Sequence, residues 1–201
     1  MGPRHAGKAS AGTGRRAPST RGPHRVRIIG GTHRGRIVRF GGAEAVRPTP
    51  DRVRETLFNW LGQDLVGRTT LEPFAGSGVL SLESLSRGAA LAVAIDRDAA
   101  TVERLRANAA TLGLAGLDAA RDDALAWLAR DARVFDVIFL DPPYAFDAWQ
   151  KLLALCAPRL AASGFVYAES GQALPPPPGF ALHREGRAGQ VHYHLLRRDE
   201  A

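Results

Sequence analysis

The pattern of apolar and polar positions changes along the chain and predicts where its strands and helices lie. Between residues 69 and 170, short apolar runs of β type are separated by stretches with helical periodicity. Strands are expected near residues 69–72, 91–95, 117–120, 134–140 and 165–169. Strands that alternate with helices pair in parallel, because each helix carries the chain back across the sheet. The pattern therefore predicts an α/β fold with a mostly parallel sheet.

Two further strand patterns lie near the C-terminus, at residues 180–184 and 191–196. They follow a spacer of four prolines at 175–178, and the glycine-containing segment 186–189 joins them. Since no helical stretch separates them, we expect an antiparallel hairpin. The sheet would then contain seven strands.

A smaller hairpin is predicted before the sheet. Residues 25–40 alternate basic and apolar side chains around the pair Gly30-Gly31. A period of two places Arg25 and Arg27 on one face and Val26 and Ile28 on the other. We assign residues 24–46 to this hairpin extension.

An amphipathic helix is expected after the hairpin. Its apolar positions recur at helical spacing and form one stripe; they are Val53, Leu57, Phe58, Trp60 and Leu61. Thr49 or Asp51 is expected to cap its N-terminus, because both residue types accept hydrogen bonds from the first turn of a helix.

The charge of the chain is concentrated at its N-terminus. Residues 1–43 contain ten Lys and Arg and no Asp or Glu, which leaves 17 of the 27 basic residues against all 20 acidic ones. Residues 1–23 have almost no large apolar side chains and are expected to form a disordered basic arm. Such arms bind nucleic acid electrostatically. The alternative is a solvated extension without a role.

The composition restricts the class of protein. A chain of 201 residues that is 45% apolar fits one folded domain of ordinary size. Neither an uninterrupted apolar run of membrane-spanning length nor a secretory signal is present, and Cys156 has no partner for a disulfide. His192 and His194 lack the further ligands of a zinc site. These features favour a soluble, cytoplasmic protein, expected to be a monomer without a metal or a membrane partner.

The tetrapeptide Asp141-Pro142-Pro143-Tyr144 directly follows an apolar run that is typical of a strand buried on both faces. Two consecutive prolines lack N–H groups and must end the strand. A carboxylate, a stiff backbone and an aromatic ring therefore lie at the carboxyl end of a central strand, where ligands bind in open α/β sheets. The alternative is a rigid turn with a surface tyrosine.

A glycine-containing loop precedes this motif in the chain. Gly76 and Gly78 lie between a predicted strand and a predicted helix, and glycine there permits a tight turn and close approach of a ligand. The next strand ends in Asp96, 20 positions after Gly76. An acid at this offset binds ribose hydroxyls in Rossmann-type sites. No third glycine completes the pattern expected for a dinucleotide, which counts against NAD.

Asp122 and Asp123 follow the third predicted strand of the sheet. The alternative to a ligand contact is that either aspartate caps the predicted helix at residues 124–130, since Asp is a favoured residue at that position.

Five segments in this order resemble the RsmD family of bacterial methyltransferases, from about residue 25 to the C-terminus. The five segments are Arg27-Ile28-Ile29-Gly30-Gly31, Arg47-Pro48-Thr49 with Asp51 to Glu55, Phe74-Ala75-Gly76-Ser77-Gly78, Asp141-Pro142-Pro143-Tyr144 and residues 184–193. The resemblance implies a Rossmann-like, class I methyltransferase domain over residues 47–201. It also implies transfer of a methyl group from S-adenosylmethionine to the exocyclic N2 of a guanine in 16S rRNA, with naked rRNA or the 30S subunit as partner.

The resemblance assigns roles to particular residues. Asp141, Pro142 and Tyr144 would hold the target base, and Asp123 would contact the adenine of the cofactor. The other expected cofactor residues are Glu72, Phe74, Ala75, Gly76, Ser77, Gly78 and Asp96. The expected RNA contacts are Arg25, Arg27, Arg34, Arg36, Arg47 and Arg52.

One departure from the family pattern concerns the cofactor loop. Glu72-Pro73 stands where the family usually has Asp followed by a small or apolar residue. The extra methylene could shift the contact of this acid with the amino group of the cofactor.

Two other functions remain open at this point. An adenine-N6 DNA methyltransferase can carry the same tetrapeptide, although such enzymes usually add a target-recognition domain. A non-catalytic RNA-binding protein for ribosome assembly is the other alternative, and the intact Asp141, Asp96 and loop glycines argue against it.

Overall fold

The computed structural model describes Gly2, residues 24–41 and residues 49–199. The rest of the predicted arm at 1–23 and the predicted RNA contact Arg47 lie outside the described residues. The elements are β1 (His24–Arg27), β2 (Ile37–Phe40), α1 (Asp51–Trp60), β3 (Thr69–Glu72), α2 (Val79–Ser86), β4 (Leu91–Asp96), α3 (Ala99–Leu112), β5 (Leu117–Arg121), α4 (Ala124–Arg130), β6 (Phe135–Leu140), α5 (Trp149–Cys156), β7 (Leu160–Ser170), β8 (Phe180–Ala188) and β9 (Val191–Arg198).

The central sheet has seven strands in the order β5-β4-β3-β6-β7-β9-β8. Strands β3 to β7 pair in parallel, whereas β9 is antiparallel to both of its neighbours. The predicted fold class is therefore confirmed. The chain runs outward from β3 to β5 and then returns to β6 on the other side of β3, so the strand order reverses between β3 and β6. Ligands of open α/β sheets bind at the carboxyl ends of strands at such a point.

The two faces of the sheet pack against different helices. Side chains of α1, α2 and α3 share one core with Val137 and Phe139 of β6. Side chains of α4 and α5 share the other core with Ile138 and Leu140. Strand β6 is thus buried on both faces, as its continuous apolar run predicts. None of the described helices is long and apolar enough to cross a membrane.

The N-terminal hairpin belongs to the first of these cores. Strands β1 and β2 pair antiparallel, with Val26 buried and Arg25 and Arg27 exposed, which confirms the predicted alternation. Gly31 begins a single 3-10 turn that rests on α2. Its φ is +69°, and a Cβ there would lie 1.9 Å from the Ser86 carbonyl oxygen, so only glycine fits.

A buried ionic network attaches the hairpin to the domain. Arg54 of α1 and Glu83 of α2 are both fully buried, and their side chains lie 3.3 Å apart. Glu83 also pairs with Arg87 at 2.9 Å and accepts a hydrogen bond of 2.8 Å from the Ile29 backbone. Arg54 donates to the Arg27 carbonyl at 2.8 Å. Removing one member of such a network leaves an unpaired buried charge and typically costs about 3–5 kcal/mol.

The predicted cap of α1 is wrong. The residue before the helix is Pro50, and no side chain caps it. Asp51 is the first helical residue and pairs with Arg54 at 2.6 Å and with Arg27 at 3.2 Å. Instead of capping the helix, Asp51 binds one arginine of its own helix and one of the hairpin.

The C-terminal hairpin is longer than its pattern predicts. Strand β8 continues to Ala188, which pairs with Val191, so the turn consists of Gly189 and Gln190 alone. Gly186 lies inside the ladder rather than in the turn. A Cβ on Gly186 would lie 2.4 Å from the ring of Tyr193, which explains a glycine within this strand.

Candidate active site

Three carboxylates lie at the carboxyl ends of β3, β6 and β7. Glu72 is the last residue of β3, Asp141 directly follows β6, and Glu169 is the penultimate residue of β7. Leu140 pairs with Ala168 in the parallel ladder, so Asp141 follows beside Glu169. Because side chains alternate along strands, all three point to the face of the sheet that α1 and α2 cover. The strand ends thus concentrate negative charge at the point where the strand order reverses.

This concentration changes the acidity of the carboxyl groups. Burial raises the pKa of Asp141 well above its ordinary value, and the charges of Glu169 and Glu72 add to the effect. Burial also raises the pKa of Glu169, while hydrogen bonds from Tyr167 and Thr49 oppose this shift. The Tyr167 hydroxyl donates to Glu169 at 2.8 Å. At least one of these groups is therefore easier to protonate than a solvated carboxylate.

Glu72 also supports the start of helix α2. Its Oε2 accepts hydrogen bonds from the backbone N–H and the hydroxyl of Ser81, at 3.0 Å and 2.5 Å. The residue before α2 is Gly78, which has no side chain with which to cap the helix. Burial raises the pKa of Glu72 to about 7, and the bonds from Ser81 limit the rise. The longer side chain of Glu72 therefore reaches Ser81 at the start of α2.

The glycine loop and Asp96 are in direct contact. The Asp96 carboxylate accepts hydrogen bonds from the backbone of Gly76 at 2.8 Å and of Asp98 at 2.9 Å. Gly76 and Gly78 both have positive φ, at 49° and 67°. At Gly78 a Cβ would lie 2.3 Å from Leu105 Cδ1, so packing against α3 alone already requires a glycine there.

The other predicted cofactor residues of the loop differ in exposure. Ala75 and Ser77 are buried within the loop, whereas Phe74 is half-buried. The Phe74 ring lies 5.5 Å from Phe146, which in turn lies 5.7 Å from Trp149. These rings form an apolar wall beside the loop.

Asp123 is the N-cap of α4. Its Oδ1 accepts from Leu125 and Ala126 at 3.1 Å and 3.0 Å, and its Oδ2 lies 3.4 Å from Arg97. The capping interpretation is therefore confirmed. Contact with an adenine stays a prediction, and the half-exposed carboxylate leaves room for it.

The residues after β6 present one aromatic ring to solvent. Pro142 is buried, while Tyr144 is 84% exposed. The Tyr144 ring lies against Gly171, where a Cβ would come within 2.7 Å of it. One side of the ring is thus supported by backbone, and the rest is available to a planar ligand.

A basic groove leads toward the carboxylates. A cavity of about 360 Å³ is lined by Arg25, Val26, Arg27, Ile37, Thr49, Pro50 and Asp51. The predicted RNA contacts Arg25, Arg27, Arg34, Arg36 and Arg52 are exposed. Thr49 lines this groove and is buried, and its side chain lowers the pKa of Glu169.

Glu169 and Thr49 were not predicted as site residues. Glu169 ends an apolar strand pattern just as Glu72, Asp96 and Asp141 do, and this shared position was the signal that could have found it. For Thr49 the sequence held only a local signal, which indicated a helix cap.

The chemistry of the site fits S-adenosylmethionine. Each Asp96 oxygen accepts one backbone hydrogen bond, and a carboxylate can accept about four in all, so acceptors remain for ribose hydroxyls. The carboxylate of Glu72 suits an ammonium group, and the Phe74 ring suits an apolar part of the ligand. Within residues 24–41 and 49–199, no group of three or more His, Cys, Asp and Glu could hold a metal ion.

Comparisons with known proteins give one consistent result. A family described as "Conserved hypothetical protein 95" matches residues 26–197. The "Ribosomal RNA small subunit methyltransferase D" of Escherichia coli K12 is 40% identical over 187 residues, which are 90% of this chain and 94% of that protein.

Solved structures agree with these matches. The "Putative methyltransferase yhhF" of Escherichia coli superimposes with a TM-score of 0.79 at 39% identity and covers 89% of this chain and 100% of its own. The 16S rRNA N2 methyltransferase RsmC of T. thermophilus, solved with AdoMet and guanosine, has a TM-score of 0.69 over 88% of this chain and 50% of its own. At 23% identity, RsmC shows a shared fold.

Proposed function

The chain belongs to the RsmD family of ribosomal RNA methyltransferases, and from this premise we propose that it methylates the exocyclic N2 of a guanine in 16S rRNA. S-adenosylmethionine is the methyl donor. The observation that carries the proposal is the position of Asp141 and Pro142 at the reversal point of the sheet, beside an exposed Tyr144 and close to the loop that Asp96 holds.

Binding of the donor is assigned to residues at the ends of β3 and β4. Asp96 would accept hydrogen bonds from the ribose, and Glu72 would face the amino group. Phe74 would cover one side of the ligand, and Asp123 would lie near the adenine. The cofactor supplies a methyl group on positively charged sulfur, which nearby carboxylates stabilise electrostatically.

The target amine needs activation, because the lone pair of a guanine N2 is delocalised into the ring. Acceptance of its two hydrogens by the Asp141 carboxylate and the Pro142 carbonyl would localise that lone pair toward the donor. The two prolines restrict the backbone, so both acceptors are fixed before the base arrives. Much of the rate gain then comes from positioning and electrostatics.

Tyr144 is assigned to the target base. Enzymes that modify a base take it out of its stack and bind it against an aromatic side chain. The Tyr144 ring is exposed and supported from behind by Gly171, which suits this role.

The basic groove is assigned to the RNA backbone. Arginines on an exposed hairpin face suit phosphate contacts, which position a nucleic acid without reading its sequence. The groove ends at Thr49, beside the carboxylates, so a backbone held by Arg25 and Arg27 could deliver a neighbouring base to Asp141.

The decisive experiment identifies the methylated product. Purified protein and isotope-labelled S-adenosylmethionine are incubated with 16S rRNA, with 30S subunits or with DNA, and the labelled nucleoside is identified by mass spectrometry. We expect N2-methylguanosine from an RNA substrate and none with Asp141→Ala, whose affinity for the cofactor should stay within about twofold. Labelled N6-methyladenosine from DNA would favour the alternative enzyme, and the absence of any product would refute the proposal.

A further inference from the structure

We propose that Glu169 is a positioning residue that makes Asp141 the proton acceptor of the transfer reaction. The inference rests on the proposed function, because it concerns the proton that N2 loses. The role of Glu169 depends on its position in the sheet, beside Asp141.

The sheet places the two carboxylates side by side. Adjacent strands lie about 4.8 Å apart, and Asp141 and Glu169 occupy neighbouring positions of the parallel pair β6 and β7 on the same face. Two like charges at this separation in a partly dehydrated site resist simultaneous ionisation. The pair therefore favours a state with one proton and one negative charge.

The hydrogen bonds decide which member carries the charge. The Tyr167 hydroxyl donates to Glu169 at 2.8 Å and stabilises its ionised form, and the Thr49 side chain also lowers the pKa of Glu169. No side chain among the described residues donates a hydrogen bond to the Asp141 carboxylate. The first negative charge of the pair thus belongs to Glu169, and Asp141 ionises second, at a higher pH, where it can accept a proton.

Aromatic packing keeps Glu169 in this position. Tyr167 is fully buried, and its ring lies 6.5 Å from Tyr193, the residue opposite Glu169 in the ladder between β7 and β9. The Tyr193 ring in turn lies 5.4 Å from Trp60. This packing fixes the position of the Tyr167 hydroxyl. Because that hydroxyl donates to Glu169, the hydrogen bond holds the Glu169 carboxylate beside Asp141.

Other charged groups near the pair do not cancel this effect. Glu72, when it is ionised, adds a further negative charge, which acts in the same direction as Glu169. Arg54 donates to the Thr49 carbonyl at 3.2 Å, and its charge is paired with Asp51 and Glu83.

Histidine does not contribute from β9. His194 pairs with Ala168 and therefore lies on the opposite face of the sheet. The same alternation along the strand places His192 there.

The arrangement suits the proton balance of the reaction. As the bond from N2 to the methyl carbon forms, the bond from that carbon to sulfur breaks and its electron pair stays on sulfur. N2 becomes positively charged and gives one proton to ionised Asp141. The fixed charge of Glu169 raises the proton affinity of Asp141 and so favours this transfer, after which Asp141 releases the proton to water.

The test replaces Glu169 with glutamine, which keeps the shape and removes the charge. In the wild type, kcat should rise with pH through the pKa of Asp141. In Glu169→Gln the midpoint should fall by about one pH unit or more, and kcat on the high-pH plateau should fall roughly 3- to 10-fold, because a weaker base accepts the proton less readily. The KM values for RNA and cofactor should change less than about twofold.

A second readout does not depend on turnover. Carbon-13 NMR of protein with labelled aspartate carboxyls, recorded without cofactor, follows the Asp141 signal, which Asp141→Asn identifies by its absence. Its titration midpoint should be lower in Glu169→Gln than in the wild type. Glu103→Gln, which changes an exposed carboxylate on α3, is the matched control and should move neither midpoint.

A further variant covers the case in which Glu169→Gln does not fold. Tyr167→Phe removes one donor to Glu169, so more of the charge moves to Asp141 and its midpoint should fall by a smaller amount. Midpoints that stay within about 0.3 units of the wild type in NMR and kinetics would overturn the role of Glu169 while the wild type still makes N2-methylguanosine. Failure of the wild type to make that product is a separate result, which overturns the proposed function.

Discussion

The buried Glu72 should make the protein less stable as the pH rises through the weakly acidic range. Its pKa is raised from the ordinary 4.5 to about 7, first because burial disfavours the charged form. Between these values the native protein keeps a proton that the unfolded chain has released. Since the native state then binds more protons, the free energy of unfolding falls with increasing pH and becomes level above about pH 7.

The size of the effect follows from the shift. A rise of about 2.5 units at 1.36 kcal/mol per unit corresponds to about 3 kcal/mol of stability lost between pH 4.5 and pH 7. Glu72→Gln removes the ionisation and keeps an oxygen that can accept from Ser81. The variant and the wild type should therefore be similar near pH 4, and the variant should be more stable by about 3 kcal/mol at pH 8.

Urea unfolding of both proteins at half-unit steps from pH 4 to pH 8 measures this difference directly. The comparison at each pH removes the contributions of all groups that the two proteins share. Glu103→Gln should differ from the wild type by a constant amount. The reasoning is refuted if the stabilities of Glu72→Gln and the wild type stay parallel within about 0.5 kcal/mol over this range.

Three further predictions concern separate parts of the molecule. Asp96→Ala should weaken the binding of S-adenosylmethionine by about 1.5–3 kcal/mol, measured by calorimetry, because charged hydrogen bonds to the ribose are lost. A change of less than about twofold in the dissociation constant would mean that Asp96 does not contact the cofactor. Gly31→Ala should destabilise the protein to urea more than Gly35→Ala does, because both have positive φ but only the first meets the Ser86 carbonyl; equal effects would contradict the contact. Replacing four hairpin arginines with glutamine should weaken binding to RNA of any sequence and flatten its salt dependence by about 0.7–0.9 log units per lost phosphate contact. An unchanged slope would mean that RNA binds elsewhere on the protein. The four residues are Arg25, Arg27, Arg34 and Arg36.

Much of the fold follows from patterns that are local in sequence. The apolar run before Asp141 is buried on both faces because it lies in the middle of a parallel sheet, and the run alone predicts this. Asp96 meets Gly76 because two adjacent parallel strands end at the same edge. Such consequences need only parallel pairing of strands that end at one edge of the sheet, which alternation of strands and helices indicates.

The remaining features depend on contacts between distant segments. Thr49 has the sequence of a helix cap, yet its side chain lowers the pKa of Glu169, at the end of a distant strand. Glu169 ends an apolar strand pattern, but its importance depends on β7 lying beside β6, which brings it next to Asp141. The burial of Arg54 is likewise invisible in an amphipathic pattern, since its partner Glu83 lies on another helix.

Helix α2 connects the cofactor loop with the N-terminal hairpin. Glu72 holds the first turn of α2 beside the cofactor loop, and residues toward the other end of the helix hold the hairpin. The helix has eight residues, so at 1.5 Å per residue its two ends lie about 12 Å apart. We therefore expect a methyl donor that orders the first turn to steady the surface on which the hairpin rests. By linkage, RNA bound at the hairpin would then raise the affinity for the donor by the same factor as the donor raises the affinity for RNA.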